Sequence, residues 1–90
     1  MSVRFTRRAI NDLARIREYI ANDNPMAASR MAVELVAACD RLELFPERGN
    51  PGLRQGPREL SAVWPYVIVY RISGVDIDIL AIWHGAQDRT

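Results

Sequence analysis

The stretch from Tyr66 to Trp83 (YVIVYRISGVDIDILAIW) decides the fold of this chain. It contains two runs rich in β-branched and aromatic residues, Tyr66–Ile72 and Ile77–Trp83, separated by the tetrapeptide SGVD. Runs of this composition on either side of a short turn predict a β-hairpin. Both strands are apolar over most of their length, so the hairpin needs cover on at least one face.

Side chains of a strand point alternately to opposite faces of the sheet. Strict alternation places Val67, Val69 and Arg71 on one face of the first strand, with Leu80 and Ile82 on the same side of the second. An exposed apolar row with polar groups at its rim usually marks a partner-binding surface. The pattern leaves three kinds of cover open: a separate partner, the chain's own tail or Pro/Gly loop, or a second copy of the chain.

The N-terminal half predicts a helical hairpin. A short strand at Val3–Phe5 is followed by Thr6, a suitable helix N-cap, and apolar residues then recur at helical spacing as far as Asn22. Asn24 and Pro25 are suited to the cap and first position of a second helix, whose apolar stripe extends to Phe45. A linker this short makes the two helices antiparallel neighbours.

Between the helices and the hairpin lies a segment rich in turn-forming residues. Three prolines and three glycines occur in Pro46–Pro57 (PERGNPGLRQGP), which predicts a loop, and Arg58–Val63 predicts another strand. The chain is therefore expected to be a single domain over residues 1–90 of the α+β class. Its order is β-α-α-β-β-β, with the helical hairpin packed on one face of a small, mainly antiparallel sheet.

Composition excludes several classes of function. All twelve basic residues are arginines, yet the formal net charge is only +1, which argues against general nucleic-acid binding through phosphate neutralisation. No apolar run is long enough to cross a bilayer, and the first residues lack the apolar core of a signal peptide. We therefore expect a cytoplasmic protein with no membrane partner and no sequence-specific nucleic-acid partner.

The residues that could perform chemistry are few. One histidine and one cysteine without clustered spacing predict no metal site, and the glycines match no nucleotide-binding loop, so no cofactor is expected. Cys39 is predicted to be buried and inert. His84 near Arg58, Arg71 and Glu59 could supply the acid, base and cations of a metal-independent ribonuclease. A histidine at a strand end is also commonly structural, and both interpretations stay open.

The order of several short motifs resembles that of a known family. These motifs are AxxDLxxIxxYI at 9–20, PxAA at 25–28, PERGNPG at 46–52, REL at 58–60, YVIVYRI at 66–72 and WHGAQD at 83–88. Together they resemble the ParE branch of the RelE/ParE toxin superfamily. The resemblance implies the β-α-α-β-β-β fold, a role as the toxin of a bacterial type II toxin–antitoxin module, and a ParD-like antitoxin as partner.

The resemblance also implies two possible targets. ParE-like members are associated with inhibition of DNA gyrase, whereas RelE-like members cleave mRNA on the ribosome. RelE-like nucleases typically have a basic residue after the first Tyr of the YxxVY strand and a tyrosine near the C-terminus. In this chain the residue after the first Tyr is Val67, and the tail, GAQDRT, contains no tyrosine. Both departures favour a gyrase-binding toxin over an enzyme, while His84 keeps an endoribonuclease as the alternative.

These considerations assign residues to three expected sites. We expect antitoxin contact on the outer faces of both helices and at Val67, Val69, Arg71, Leu80 and Ile82. We expect target contact at Arg48, Arg54, His84, Gln87 and Asp88. No catalytic residue is expected for a gyrase inhibitor, and the nuclease alternative would use His84, Arg58 and Arg71.

Overall fold

A computed structural model describes residues 2–51 and 56–85, and its elements follow the predicted order with two additions. Those elements are β1 (Ser2–Phe5), α1 (Arg7–Ala21), α2 (Pro25–Asp40), a 3-10 turn (Arg41–Glu43), β2 (Asn50–Pro51), β3 (Arg58–Val63), β4 (Tyr66–Ser73) and β5 (Asp76–His84). The additions are the 3-10 turn, in the stretch predicted as the end of the second helix, and β2, a two-residue strand within the segment predicted as a loop.

The five strands form one sheet in the order β1-β5-β4-β3-β2. β1 pairs with β5 in parallel, whereas the other neighbours are antiparallel. The β4–β5 turn contains Gly74 at φ +61°, a left-handed conformation that glycine adopts without steric cost. This architecture confirms the predicted α+β class with its mainly antiparallel sheet.

Both predicted helix caps are present. The Thr6 hydroxyl accepts a hydrogen bond from the backbone N–H of Ala9 at 3.1 Å, and the Asn24 side chain accepts one from Ala27 at 3.0 Å. The second helix ends at Asp40, earlier than predicted, because the chain tightens into the 3-10 turn. Phe45 precedes a proline, and this position disfavours the helical conformation. Its side chain is 63% exposed. Neither of the helices described has the length and apolar character needed to span a bilayer.

The main core lies between the helical hairpin and the sheet. Its largest fully buried side chains are Tyr70, Leu35, Leu42, Ile68, Ile77, Ile79 and Cys39. Burying an aliphatic side chain of this size contributes roughly 1.5–3 kcal/mol, so this layer supplies most of the hydrophobic stabilisation. Cys39 is buried as predicted, and its removal from water, with a smaller effect from Asp40, raises the pKa of the thiol to about 12.

A β-bulge in β5 changes which side chains face the helices. Val69 is paired with Ala81 but Tyr70 is paired with Ile79, so Leu80 is an extra residue without a partner of its own on β4. An extra residue reverses the alternation beyond it. Ile82 therefore joins the main core at 2% exposure, and its predicted place in the same row as Val67 and Val69 is wrong.

Candidate functional site

The face of the sheet turned away from the helices carries a second apolar cluster, the far-face cluster. It is formed by Val67, Val69 and Ala81, with Leu80 and Trp83 packed against them. The predicted face is thus correct for Val67, Val69 and Leu80. Ala81 and Trp83 lie on this face, whereas the predicted Ile82 does not. The two valines are only 3% and 8% exposed, so the expectation that they are exposed is wrong, and the partly exposed Leu80 and Trp83 form the accessible part of the row.

One end of the far-face cluster is charged. Arg4 pairs with Asp78 at 2.8 Å and with Asp76 at 3.5 Å. Arg71 lies opposite Asp78 in the β4–β5 register and is exposed. Exposed ion pairs of this kind add little stability, so the charges at this end are available for recognition at small cost to the fold.

A buried tyrosine fixes the loop that carries Arg48. The Tyr70 hydroxyl donates to the carbonyl of Pro46 at 2.7 Å and accepts from the N–H of Gly49 at 2.8 Å. A Cβ at position 49 would lie 2.7 Å from Cε1 of Tyr70, so only glycine fits there. The Arg58 guanidinium donates to the Gly49 carbonyl at 2.9 Å. Arg58 therefore anchors the loop, and Arg48 projects from that loop as an exposed side chain.

The predicted nuclease residues do not assemble. His84 lies opposite Tyr66 on β4, whereas Arg58 lies opposite Tyr70. Four residues along a strand correspond to about 13 Å, and the five that separate Tyr66 from Arg71 correspond to about 17 Å. Arg71 also lies on the opposite face of the sheet from Tyr66 and Tyr70. The structure separates His84 from both arginines, which contradicts the predicted grouping.

His84 instead borders a cavity of about 590 Å³ between α1 and the end of β5, the α1 pocket. Its lining comes from one side of α1 and from the adjoining ends of β4 and β5. The lining residues are Arg8, Asp12, Arg15, Ile16, Tyr19, Pro65, Tyr66, Ile82, Trp83 and His84.

The pocket exists because β1 is shorter than β5. β1 ends at Phe5, paired with Ile79, so the rest of β5 has no strand beside it on that side. The chain turns there into α1, and the Asp12 carboxylate accepts a hydrogen bond from the N–H of Ile82 at 3.0 Å. The Thr6 hydroxyl lies 2.9 Å from the carbonyl of Ile79. The side chains of Thr6 and Asp12 thus provide hydrogen-bond partners for the part of β5 that has no strand beside it.

Aromatic and cationic groups meet in the α1 pocket. The Arg8 guanidinium lies 5.8 Å from the centre of the Trp83 ring, and its Nε is 3.5 Å from Asp12. The indole Nε1 of Trp83 is buried and has no hydrogen-bond acceptor in the part of the chain that the structure describes. Tyr66 and His84 stack edge to face at 5.7 Å. Burial, followed by the proximity of Tyr19, raises the pKa of the Tyr66 hydroxyl.

Sequence reasoning missed this pocket. Its polar lining on α1 has the spacing of one helical face, since Arg8, Asp12, Arg15 and Tyr19 follow one another at intervals of three or four residues. The sequence alone could have revealed that stripe, but it does not reveal which strand the stripe packs against. Arg54, Gln87 and Asp88, expected at the target site, lie outside the described residues. Within residues 2–51 and 56–85, no three His, Cys, Asp or Glu side chains are grouped so that they could hold a metal ion.

Comparison with known proteins relates this chain to bacterial toxins. Residues 3–89 match the model of the family described as ParE toxin of type II toxin–antitoxin system, parDE. The chain is 42% identical over 86 residues to putative toxin Y4kP of Sinorhizobium fredii, covering 94% of this chain and 88% of that protein. It is 44% identical over 83 residues to toxin RelE2 of Caulobacter vibrioides, covering 92% of this chain and 93% of the relative.

A solved structure has the same fold. A chain from the chromosomal ParDE TA system of P. aeruginosa superimposes with a TM-score of 0.81 at 30% identity, covering 93% of this chain and 95% of the other. The family match, the similar toxins and this superposition agree along nearly the whole length of the sequence. The chain therefore belongs to the ParE toxin family of type II toxin–antitoxin systems.

Proposed function

We propose that this toxin acts in the cytoplasm by binding DNA gyrase, without chemistry of its own, and that a ParD-like antitoxin neutralises it. The observation that carries the proposal is the separation of His84 from Arg58 and Arg71. A ribonuclease that works without a metal needs its acid, base and cations around one phosphate. Arg58 is held instead by the loop, where it donates to the carbonyl of Gly49.

The far-face cluster supports the antitoxin part of the proposal. Leu80 and Trp83 present accessible apolar surface beside the buried valines, and Arg71 at the charged end suits an acidic partner side chain. The partner would cover this face and the outer sides of both helices. The similar fold in a ParDE system from P. aeruginosa supports an antitoxin of the ParD kind.

The target surface is assigned to the segments that flank the sheet. Arg48 stands on a loop held by Tyr70 and Arg58, so contact with a partner requires little further ordering of the backbone there. The proposal also keeps His84, Arg54, Gln87 and Asp88 as target-contact residues, as predicted from the sequence.

A supercoiling assay tests the proposal. Purified gyrase, ATP and relaxed plasmid are incubated with a concentration series of the antitoxin-free protein. We expect inhibition or trapped cleaved DNA, reversed by the antitoxin. Arg48→Ala should weaken inhibition, whereas Arg30→Ala, on the exposed surface of α2, should not. Supercoiling that continues unchanged at large toxin excess would remove gyrase as the target.

The second candidate is a ribosome-dependent mRNA endoribonuclease. It is favoured by the 44% identity to a protein named toxin RelE2 and by the position of His84 in a pocket that also contains Arg8 and Arg15. Incubation with ribosomes and a defined mRNA, followed by primer extension, tests it directly. Cleavage lost in His84→Ala would support this function in place of gyrase inhibition.

A further inference from the structure

We infer that the turn following α2 is the apolar centre of the target-binding surface, where Leu44 and Phe45 dock into an apolar groove of gyrase. Arg41 and Arg48, at the rim, pair with acidic side chains beside that groove. The inference deepens the proposed function and rests on it, because gyrase is the occupant. The surface, the Phe45 patch, is a shallow hollow of about 630 Å³ lined by Arg41, Leu44, Phe45, Pro46, Glu47 and Arg48.

Leu44 and Phe45 are large apolar side chains that the fold leaves in water. They are 75% and 63% exposed, whereas Leu42, at the start of the same turn, is fully buried in the main core. Elsewhere in the described part of the chain, the large exposed apolar residues are isolated from one another in sequence: Ile10, Tyr19, Met26, Val33, Trp64 and Val75. Scattered apolar residues are normal at a protein surface, but adjacent ones that line a common hollow indicate a binding surface.

The backbone that carries these side chains is fixed by hydrogen bonds. The N–H groups of Leu44 and Phe45 both donate to the carbonyl of Arg41, at 3.1 and 3.3 Å. The Pro46 carbonyl, next along the chain, accepts from the buried Tyr70 hydroxyl at 2.7 Å. A partner therefore meets an apolar pair on an ordered backbone, and binding requires little further ordering of this turn.

The rim of the patch carries more positive than negative charge. Its lining contains Arg41 and Arg48 but a single acidic residue, Glu47. Both arginines are exposed, and neither forms an ion pair with another residue that the structure describes. They are available to partner carboxylates, which a guanidinium binds in a bidentate geometry. Two arginines beside a glutamate do not form the row of cations that successive phosphates require, so a protein is favoured over nucleic acid.

The position of the patch favours the target over the antitoxin. Arg48 belongs both to the patch and to the target surface of the proposed function, so the two surfaces are continuous. The patch shares no residue with the far-face cluster, which is assigned to the antitoxin. The residues predicted for target contact are all polar, yet a specific protein interface has an apolar core within a polar rim. Leu44 and Phe45 supply that core.

Variants of Phe45 test the contact. Purified gyrase is titrated with each toxin by isothermal calorimetry, and the same proteins are compared in the supercoiling assay. We expect Phe45→Ala to raise the dissociation constant about 30-fold, as for a side chain at the centre of an interface. Phe45→Leu, which retains an apolar side chain, should raise it less than about tenfold. The matched control is Val75→Ala, because Val75 is 73% exposed in the β4–β5 turn and should leave affinity and inhibition unchanged.

Two further measurements separate a lost contact from a damaged fold. The urea midpoint of Phe45→Ala should stay close to that of the unmodified toxin, because the side chain is mostly exposed. Its affinity for the antitoxin should also be unchanged. If Phe45→Ala proves unstable, Leu44→Ala decides the question in the same assays, with an expected loss of about tenfold.

The outcomes distinguish failure of the inference from failure of the proposed function. If the unmodified toxin does not bind gyrase, the proposed function fails and the inference fails with it. If the unmodified toxin binds gyrase and folded Phe45→Ala binds it as tightly, only the inference is overturned. Loss of antitoxin affinity in folded Phe45→Ala would assign the patch to the antitoxin instead.

Two other occupants of the patch are tested with the same variant. A lower molar mass of Phe45→Ala than of the unmodified toxin in light scattering would show that the patch joins two copies of the chain. Binding of hexauridylate that is lost in Phe45→Ala would make it a nucleic-acid site. Either result would overturn the inference.

Discussion

Tyr70 is the residue through which the core of the sheet controls an exposed loop. Its hydroxyl joins Pro46 and Gly49, and its ring is fully buried. Tyr70→Phe removes the acceptor of the Gly49 N–H and leaves that donor buried without a partner. We expect a loss of about 1–3 kcal/mol in the free energy of unfolding, measured by urea denaturation.

Tyr19→Phe is the matched control, because Tyr19 is 74% exposed. Removing a hydroxyl at the surface should change the free energy of unfolding by less than about 0.5 kcal/mol. Equal stability of the two variants would show that the Tyr70 hydroxyl does not hold the loop.

Cys39 offers a test of burial by chemistry. Its thiol pKa is raised from the ordinary 9.0 to about 12 by burial and, to a smaller extent, by Asp40. Because the thiolate is the reactive form, the native protein should react with a thiol reagent at pH 8 only after denaturation. Rapid labelling of the native protein would contradict the buried position.

The same shift gives a pH dependence with a definite sign. Between pH 9 and about pH 12 the unfolded chain loses the Cys39 proton while the folded chain retains it, so stability falls as the pH rises through this window. Cys39→Ala lacks this contribution and should show a shallower decline in thermal unfolding temperature over the same range. Parallel declines would exclude the cysteine as a cause.

At the scale of elements, the bulge in β5 decides which strand residues face a partner. Leu80 is only partly buried and lies beside the far-face cluster, whereas Ile82 is 2% exposed in the main core. Ile82→Asp places a charge in an apolar core and should cost more than about 4 kcal/mol. Leu80→Asp should keep the fold.

Circular dichroism and urea denaturation of the two variants distinguish the bulged register from strict alternation. If the alternation of the sequence continued unbroken, Leu80 and Ile82 would share a face and both variants would fold alike. A folded Ile82→Asp protein would contradict the bulge.

The elements show which features could be predicted from the sequence. The caps at Thr6 and Asn24 were predictable because capping depends on residues three positions apart in the chain. The bulge was not, because Leu80, Ala81 and Ile82 are all apolar and no residue type marks the insertion. Its position depends on which residue of β4 lies opposite, a contact between distant parts of the chain.

The candidate site also combines local patterns, which the sequence predicts, with long-range contacts, which it does not. The stripe along α1 is a local pattern, but its closure against Trp83 is a long-range contact that periodicity does not specify. The role of Arg58 likewise depends on a loop that turns back to meet it. Sequence therefore identified the family and most of the strand faces, whereas the grouping of side chains into sites required the three-dimensional fold.

At the scale of the whole molecule, the helical hairpin covers one face of the sheet and the proposed antitoxin covers the other. A ligand that binds only the folded state stabilises it by mass action, by about 2.7 kcal/mol at a free concentration one hundred times the dissociation constant. For a domain of this size that corresponds to a rise of roughly 10–20 °C in unfolding temperature.

Differential scanning fluorimetry with increasing antitoxin tests this last prediction. We expect the rise to be reduced in Leu80→Asp, because a charge on the far face opposes an apolar partner side chain. It should be retained in Val75→Asp, where the residue lies in the β4–β5 turn and is 73% exposed. Both variants carry the same added charge, so a general electrostatic effect would reduce the two shifts equally. If the antitoxin raises the unfolding temperature of Leu80→Asp as much as that of the unmodified toxin, the antitoxin binds another surface. The α1 pocket and the outer sides of the helices would then be the surfaces to test.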